Sequence, residues 1–300
     1  MSKNPKEKNP KEQDPKEAGP KPPFPEQEQE PVGVESEMEP QPDYGEESYR
    51  GSGKLEGKAA IITGGDSGIG RAVALAFARE GADVLISYLD EHSDAEKTVR
   101  IVEKEGRRCI PVAGDIGNEA HCQQIVERAI QEFGKLDILV NNAAYQDVIE
   151  SIQEVTEEML LHTYRTNIFA MFYLCKAALA HMQPGSTIIN TTSIQAYQPS
   201  PTLLPYSSTK GAILTFTKGL SEEAIKEGVR VNAVAPGPVW TPLIPSSFPA
   251  DKVANFGKDT PIGRAGQPAE LAPVYVFLAS QESSYITGEC IGVTGGKPLA

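Results

Sequence analysis

Two side chains in the second half of the chain have the types and spacing to move a proton. Tyr206 lies four residues before Lys210 in a stretch with a helical pattern, and a helix places such a pair on one face, one turn apart. A phenol can protonate an alkoxide, although its unperturbed pKa of about 10 is high for rapid proton return. A neighbouring ammonium favours the phenolate and lowers that pKa. Alone, the pair is a weak signal, because this spacing arises often by chance.

A glycine-rich turn upstream supplies a second signal. The apolar segment Ala59–Thr63 leads into Gly64, Gly68 and Gly70, and a helical pattern follows. Glycines permit a tight turn and close backbone approach, and the helix N-terminus offers free N–H groups to a phosphate. The turn therefore predicts a dinucleotide cradle. A cradle and a Tyr–Lys pair in one chain predict hydride transfer coupled to proton transfer from Tyr206.

The elements that must position these residues alternate between strand and helix. Short apolar strands are predicted at Ala59–Thr63, Asp83–Ser87, Arg108–Val112, Asp137–Val140, Ser186–Thr192, Arg230–Val234 and Glu289–Val293. Helices are predicted at Ile69–Glu80, Ser93–Glu105, Glu119–Phe133, Glu154–His181, Pro205–Glu227 and Pro268–Ala279. This alternation predicts an α/β fold, a single doubly wound Rossmann-type domain whose seven-stranded parallel sheet is flanked by helices. Ligands of such sheets bind at the carboxyl ends of the strands.

The first 54 residues differ from the rest and predict an extended N-terminal tail before a domain at 55–300. Residues 1–54 contain ten prolines and a repeated Pro-Lys-Glu unit, so we expect disorder to about residue 30. Residues 31–53 carry apolar and aromatic side chains, and we expect this arm to lie extended across the domain or a neighbouring subunit. The repeat itself is either a solvated tail, which we favour, or a partner-binding arm.

Composition excludes several classes of function. The net charge is −13, of which −5 lies in residues 1–54, and this argues against nucleic acid or an anionic membrane as a partner. The four cysteines lack CxxC spacing and the four histidines lack ligand spacing, so we expect cytoplasmic thiols and no metal. We find no signal peptide, and the longest apolar run, residues 168–180, is too short to span a bilayer.

With these motifs in this order, residues 55–300 resemble the short-chain dehydrogenase/reductase family. The glycine spacing is Gly-x-x-x-Gly-x-Gly, and the residues from Asn141 to Ala144 resemble the family's Asn-Asn-Ala-Gly, with Ala144 in place of glycine. The Pro/Glu-rich extension before the glycines resembles bacterial general-stress and aldehyde-reductase-like members. The resemblance implies a small-molecule alcohol or carbonyl substrate.

The resemblance also implies a catalytic group of Asn167, Ser193, Tyr206 and Lys210. Ser193 lies thirteen residues before Tyr206 at the end of a predicted strand, where its hydroxyl can steady charge on a carbonyl oxygen. By resemblance, Lys210 also binds the nicotinamide ribose, and Asn167 holds a water in a proton relay. Each residue alone has an ordinary structural interpretation; together, at family spacing, the functional interpretation is favoured.

For the cofactor, the resemblance implies a set of contacts spread over the carboxyl ends of the strands. It places Val239 against the nicotinamide carboxamide, Thr241 by the diphosphate and Asp115 by the adenine. The full set is Gly64, Asp66, Ser67, Gly68, Ile69, Gly70, Tyr88, Leu89, Asp115, Ile116, Asn142, Ala143, Tyr206, Lys210, Pro236, Gly237, Val239 and Thr241.

The end of the second predicted strand bears on the choice between NAD and NADP. Family members specific for NAD often have an acid where Tyr88 stands, and NADP-preferring members often have a cation where Leu89 or Ser67 stands. This chain has neither, but Asp90 and Glu91 follow and would repel a 2′-phosphate. We therefore favour NAD and leave NADP open.

The C-terminal third predicts a lid and an assembly. Residues 242–267 have many prolines and little helical pattern, which is typical of a lid over substrate. We expect the substrate pocket to be lined by some of Gln195, Tyr197, Leu203, Trp240 and Phe248. Residues 285–291 predict a turn into an edge strand, and the resemblance implies that such a strand packs in a homotetramer.

These patterns favour an NAD(P)-dependent oxidoreductase that interconverts an alcohol and a ketone or aldehyde. The alternative from another class is a non-catalytic dinucleotide-binding sensor or scaffold, although both Tyr206 and Lys210 are present. An epimerase or dehydratase is a third interpretation. It is disfavoured by the glycine spacing and by the short segment after Lys210, since such enzymes usually have a larger C-terminal substrate domain.

Overall fold

Seven parallel strands form one sheet in the order β3-β2-β1-β4-β5-β6-β7 in the computed structural model, which describes residues 14–299. The strands are β1 (Ala59–Thr63), β2 (Asp83–Tyr88), β3 (Cys109–Ala113), β4 (Ile138–Asn141), β5 (Thr187–Thr191), β6 (Arg230–Pro236) and β7 (Cys290–Val293). The helices are α1 (Gly68–Arg79), α2 (His92–Lys104), α3 (Glu119–Phe133), α4 (Glu157–Tyr164), α5 (Ala170–Leu179), α6 (Leu204–Ala224), α7 (Ala250–Ala254) and α8 (Pro268–Ala279). Single helical turns lie at Pro15–Glu17, Glu35–Glu37, Ile152–Glu154, Ile194–Ala196, Pro201–Leu203, Ile225–Glu227 and Gln281–Ser283.

Helices cover both faces of the sheet, so the central strands are apolar on both sides. In β1, Ile62 packs into the cluster beneath α1, α2 and α8, whereas Ile61 packs into the cluster beneath α3, α5 and α6. Every residue of β1 and β6 is buried. The prediction of a doubly wound Rossmann-type fold is confirmed, and strand order reverses between β1 and β4, where such sheets bind ligands.

The long helix predicted at 154–181 is instead four elements. A single turn ends at Glu154, α4 begins at Glu157, and a π-helical turn at Arg165–Phe169 joins α4 to α5. Thr156 caps α4 by accepting a hydrogen bond from the Met159 N–H at 3.1 Å. The prediction was wrong here because apolar spacing does not distinguish a continuous α-helix from one with an inserted residue.

The N-terminal segment also differs from expectation. Residues 1–13 of the predicted disordered tail lie outside the described residues, but over residues 14–30 the prediction of disorder is wrong. Phe24 is buried with its ring 4.3 Å from that of Trp240. Composition did not predict this contact. Because prolines already limit the conformational freedom of the chain, the packing of one aromatic side chain is enough to order the segment.

Residues 31–53 run over the surface of the helices that pack on one face of the sheet. Met38 is buried with Trp240, and the Tyr49 hydroxyl donates to the Glu80 carboxylate. Glu80 also accepts from the backbone N–H of Lys54 at 2.9 Å. These contacts fix the arm on the domain that follows it.

Residues 14–299 contain neither a membrane-spanning helix nor a cluster of metal ligands. Within that range, no helix combines the length and the apolar character that a bilayer span requires. The same residues bring together no group of three His, Cys, Asp or Glu side chains that could hold a metal ion.

Candidate active site

A cleft of about 570 Å³ opens at the carboxyl ends of the strands, beside the β1–β4 switch. Its volume falls in the range of about 300–1,000 Å³ that is usual for small-molecule and cofactor sites. The loops after β1 through β6 all contribute to its walls. The cleft therefore lies where a doubly wound sheet binds its ligand.

The glycine-rich turn between β1 and α1 forms one wall, and its glycines are required by close backbone contact. A Cβ at Gly70 would lie 1.8 Å from the Gly64 carbonyl oxygen. Gly64 has φ +62°, and a Cβ there would lie 3.0 Å from the Ala143 Cα. These contacts leave no room for side chains at Gly64 and Gly70, so the turn packs its backbone closely against the N-terminus of α1, the kind of helix end that binds phosphates.

The loop after β4 is fixed against this turn by its asparagines. The Asn142 N–H donates to the Thr63 hydroxyl at 2.9 Å, and its side-chain amide donates to the Thr63 carbonyl at 3.1 Å. Asn141 instead donates to the Asn190 side chain at 2.9 Å. Asn141 thus joins neighbouring strands, while Asn142 shapes the cleft wall.

Tyr206, Lys210 and Ser193 come together on the opposite wall. Tyr206 and Lys210 lie on α6, and both are buried although they line the cleft. The Lys210 ammonium lies 5.2 Å from the centroid of the Tyr206 ring and donates to the Thr191 carbonyl oxygen at 2.9 Å. Ser193, just beyond β5, lines the cleft beside Tyr206, and its side chain lowers the pKa of the phenol. A phenol, a hydroxyl and an ammonium thus face one space.

Burial dominates the protonation of this group. It raises the pKa of Tyr206 to about 12, with the neighbouring Ser193 side chain acting in the opposite direction, and it lowers the pKa of Lys210 to about 7. The sequence had suggested that the Lys210 ammonium would lower the pKa of Tyr206. The pKa of Tyr206 is instead raised in the folded chain, because desolvation disfavours the charged form of both groups.

Asn167 lies in the π-helical turn and does not line the cleft directly. Its side-chain oxygen accepts from the Tyr145 N–H at 2.8 Å, and its amide donates to the Tyr145 carbonyl at 2.8 Å and to the Thr209 hydroxyl at 3.0 Å. Asn167 therefore braces the wall that carries Tyr145. π-Helical turns often mark functional sites; the proton-relay role of Asn167 stays a prediction.

Unpaired polar atoms lie at the end of β2, where an adenosine ribose is expected. Within the described residues, the Ser87 hydroxyl and one carboxylate oxygen of Glu91 are buried without a hydrogen-bond partner, and both residues line the cleft. Asp66 lies in the same wall, and burial, followed by the nearby Glu91 charge, raises its pKa to about 7. Ribose hydroxyls would satisfy such atoms, so these residues fit a nicotinamide dinucleotide.

Most of the residues predicted from the sequence line this one cleft. Gly70 and Asn167 are absent from the lining but contact residues that form it. The predicted residues in the lining are Gly64, Asp66, Ser67, Gly68, Ile69, Tyr88, Leu89, Asp115, Ile116, Asn142, Ala143, Ser193, Tyr206, Lys210, Pro236, Gly237, Val239 and Thr241.

Three of the five residues from which we expected part of the substrate pocket line the cleft. Gln195, Leu203 and Phe248 line the cleft, whereas Tyr197 and Trp240 are absent from its lining. Trp240 is fully buried because its indole packs against Phe24 from the N-terminal segment. That partner is more than two hundred positions away, so the residues around Trp240 could not predict the contact.

Sequence reasoning also missed part of the cleft. Residues 31–33 line it, although they precede the domain. Arg71, next to the cradle, is fully buried and pairs with Glu35 and Asp94. An arginine in an otherwise apolar helical stretch signals a buried charge that needs an acid, and this clue could have pointed to the arm. Other lining residues that were not predicted are Gly114, Tyr145, Gln146, His162, Thr166, Thr191, Thr192, Ile194, Pro238, Leu243, Ile244, Ser246 and Phe256.

Comparison with known proteins identifies the family. The family model described as enoyl-(acyl carrier protein) reductase matches residues 64–297. General stress protein 39 of Bacillus subtilis is 56% identical over 88% of this chain and 93% of its own length. The chain is a short-chain dehydrogenase/reductase. The predicted family, with its general-stress relatives, is confirmed.

Two further relatives of this dehydrogenase/reductase bear on its chemistry. The glucose and ribitol dehydrogenase of Daucus carota is 48% identical over 91% of this chain and 96% of its own length. A short chain dehydrogenase from Burkholderia cenocepacia J2315, solved in complex with NADP, superposes with a TM-score of 0.76 at 31% identity, covering 81% of this chain and 98% of that chain. This short-chain dehydrogenase/reductase is an oxidoreductase that acts on CH–OH donors with NAD or NADP as acceptor.

Proposed function

We propose that this enzyme interconverts a small-molecule alcohol and the corresponding ketone or aldehyde, with Tyr206 as the general acid and base. One observation carries the proposal: Tyr206, Ser193 and Lys210 line the same cleft as the cradle at the N-terminus of α1. The bound nicotinamide would supply or accept the hydride. The chain's own residues position the substrate oxygen and move its proton.

In the reducing direction, the substrate oxygen gains a proton and the phenol loses one. The Ser193 hydroxyl donates a hydrogen bond to that oxygen and steadies its developing charge. Because burial raises the pKa of Tyr206, the phenol is protonated near neutral pH, which is the form that reduction needs. Lys210, held by the Thr191 carbonyl, keeps its other N–H groups for the ribose hydroxyls of the cofactor.

The remaining predicted contacts bind different parts of the cofactor along the cleft. The turn at 64–70 and Thr241 hold the diphosphate, Asp115 lies by the adenine, and Val239 holds the carboxamide. Gly68 and Thr241 support this division, because a Cβ on Gly68 would lie only 3.1 Å from the Thr241 Cβ. The two sides of the diphosphate site are therefore in contact.

We infer a preference for NAD over NADP from the charges at the adenosine end. Among the described residues lining the cleft, Lys210 is the only lysine or arginine, and Asp66 and Glu91 lie near the expected 2′-position. A 2′-phosphate would meet like charge there. The preference rests on these charges, since the relatives include proteins named for NADP or NADPH.

Substitution of Glu91 tests this preference. Glu91→Gln removes a charge at the ribose, and we expect the affinity for NADPH relative to NADH to rise by roughly tenfold, or about 1.4 kcal/mol. The measurement is a fluorescence titration with each reduced dinucleotide. Glu96→Gln, an exposed position on α2, the helix that follows Glu91, is the matched control. A ratio unchanged by Glu91→Gln would place the discriminating contact elsewhere.

The substrate end of the cleft combines apolar and polar side chains. Ile194, Leu203 and Phe248 are apolar, whereas Gln146 and His162 can hydrogen-bond hydroxyl groups. This lining suits a small molecule with both kinds of surface, and the segment 242–267 borders it as the proposed lid. Aldehydes, ketones and sugars therefore form the panel to assay.

The decisive experiment follows nicotinamide absorbance against that panel. We expect turnover by the wild-type enzyme and a fall in kcat of roughly 10²–10⁴-fold in Tyr206→Phe, the usual contribution of a general acid. Tyr285→Phe, at a fully exposed tyrosine, is the matched control and should retain wild-type turnover. Dinucleotide binding without turnover on any compound would instead support the sensor or scaffold.

We also propose a homotetramer, because apolar side chains on α4, α5 and α6 lie exposed. Phe172 is 53% exposed, and Leu160, Leu161, Phe169 and Leu204 are also exposed. A second copy would bury this surface. Light scattering should give a mass of four chains, and Phe172→Lys should lower it. A monomeric wild-type protein would contradict the proposal.

We further propose a cytoplasmic location, supported by the cysteines. All four are free, and Cys109, Cys122 and Cys175 are buried. Burial raises the pKa of each of these three thiols to about 12, so they are inert core groups typical of a reducing compartment.

A further inference from the structure

Residues 24–38, here called the strap, bind the segment that borders the substrate end of the cleft. The Phe24 N–H donates to the Ala254 carbonyl at 2.8 Å, and the Phe24 ring lies 4.3 Å from Trp240. The Gln29 N–H donates to the Pro245 carbonyl at 2.8 Å. The start of the strap is therefore tied to the proposed lid by backbone hydrogen bonds, and to Trp240, just before the lid, by an aromatic contact.

The middle of the strap crosses the cleft. Residues 31–33 line it together with Gly68 and Thr241, the two sides of the proposed diphosphate site. Gly33 is packed so tightly that a Cβ would lie 2.4 Å from the Pro242 carbonyl oxygen and 3.0 Å from the Ser246 Cβ. A strap in this position is a wall of the cleft.

The far end of the strap reaches the cradle through Glu35, which is fully buried. Its carboxylate accepts from the Gly68 N–H at 2.7 Å and pairs with Arg71, and its own N–H donates to the Asp94 carboxylate at 2.9 Å. Arg71 in turn donates to the Asp66 carbonyl oxygen at 2.9 Å. Glu35 thus fixes two residues of the glycine-rich turn.

The strap thus contacts the proposed lid, the proposed diphosphate site and the glycine-rich turn that forms the cradle. We propose that it is part of the dinucleotide site: it holds the cradle in its binding shape, closes over the diphosphate, and must lift before the nucleotide leaves. Glu35 acts as a positioning residue, and residues 31–33 contact the nucleotide. The inference rests on the proposed dinucleotide-dependent function.

Gly33→Ala in the full chain tests the strap without changing its charge, since the added methyl cannot fit against Pro242. We expect the dissociation rate of NADH or NADPH, measured by stopped-flow displacement, to rise by roughly tenfold with an equal rise in Kd. Gly219→Ala, at a helical position with nothing within 4 Å of the added Cβ, is the matched control and should release nucleotide at the wild-type rate.

The outcomes separate the two proposals. A wild-type chain that binds a dinucleotide, beside a Gly33→Ala chain with unchanged Kd and dissociation rate, would overturn the strap inference alone. A Gly33→Ala chain that binds more tightly would also overturn it, because the strap would then obstruct the cleft. A wild-type chain that binds neither NADH nor NADPH would refute the proposed function, and the inference would fall with it.

Hydrogen exchange on the wild-type chain gives a second test that needs no variant. We expect the amides of Gln29 and Val34, bonded to the Pro245 carbonyl and the Gln29 side chain, to exchange at least about fivefold more slowly with saturating NADH. Slower exchange in the glycine-rich turn without any change in these strap amides would contradict the inference.

Discussion

Lys210 is a buried cation whose recorded hydrogen bond is to a backbone carbonyl oxygen, that of Thr191. Burial lowers its pKa from 10.5 to about 7, so its charge titrates near neutral pH in the folded chain. Between these two values the unfolded chain binds the extra proton, and stability rises with pH. Below pH 7 the cost of the buried charge is fully present.

A Lys210→Met variant should therefore differ from the wild-type chain in a pH-dependent way. The free energy of unfolding of the variant minus that of the wild-type chain should be largest at or below pH 7. This difference should decrease by about 1.4 kcal/mol per pH unit toward pH 10.5, because the wild-type chain becomes more stable over that range. Urea titrations at pH 7 and pH 9 without nucleotide would measure this. Lys226→Met, at an exposed lysine, is the control; the same pH-independent difference in both variants would contradict the burial argument.

Among the elements, the β1–α1 turn is the most sensitive to a small change. Gly70 leaves no room for a side chain, since its Cβ would meet the Gly64 carbonyl oxygen at 1.8 Å. By contrast, Gly219 in α6 has open space around it. One methyl group therefore has opposite consequences in two helices.

We expect Gly70→Ala to destabilise the fold by about 1–3 kcal/mol, as overpacking does, and to weaken dinucleotide binding by more than roughly tenfold. Gly219→Ala should stabilise the fold by up to about 1 kcal/mol. Urea titration and fluorescence titration on the two variants would test both values. Normal nucleotide affinity in Gly70→Ala would show that the turn does not set the cradle's shape.

The sequence predicted the elements better than it predicted the contacts between distant segments. Strand and helix periodicity placed the seven strands and the cleft edge, because these depend on neighbouring residues. The π-helical turn at Arg165–Phe169 escaped because one inserted residue barely changes the apolar pattern. The contacts that Trp240 and Glu35 make were not predicted, because their partners lie far along the chain.

At the scale of the whole molecule, an ion cluster ties the N-terminal segment to the core. Arg71 and Glu35 are both fully buried, Asp94 also pairs with Arg71, and the partly exposed Lys97 lies 3.9 Å from the Glu35 carboxylate. Burial lowers the pKa of Arg71, while the Asp94 charge and hydrogen bond act to raise it. Removing one partner would leave a charge in the interior with incomplete compensation.

Arg71→Met should thus destabilise the protein by about 3–5 kcal/mol, because it leaves the buried carboxylates of Glu35 and Asp94 without their shared cation. The double variant Glu35→Ala, Arg71→Met should lose less than Arg71→Met alone. Urea titration of the single and double variants gives the coupling free energy. Glu37→Ala, at an exposed glutamate two positions along, is the control. Additive losses in the double variant would show that the two side chains do not depend on each other.

The packing of Phe24 on Trp240 gives this protein a built-in optical reporter. Trp240 is the only tryptophan in the chain, and its indole N–H donates to the Pro40 carbonyl at 2.8 Å. Both partners come from the N-terminal segment, so detachment of that segment would expose the indole to water and shift its emission to the red. Emission from a single native side chain can therefore follow the segment's docking in real time, without any label.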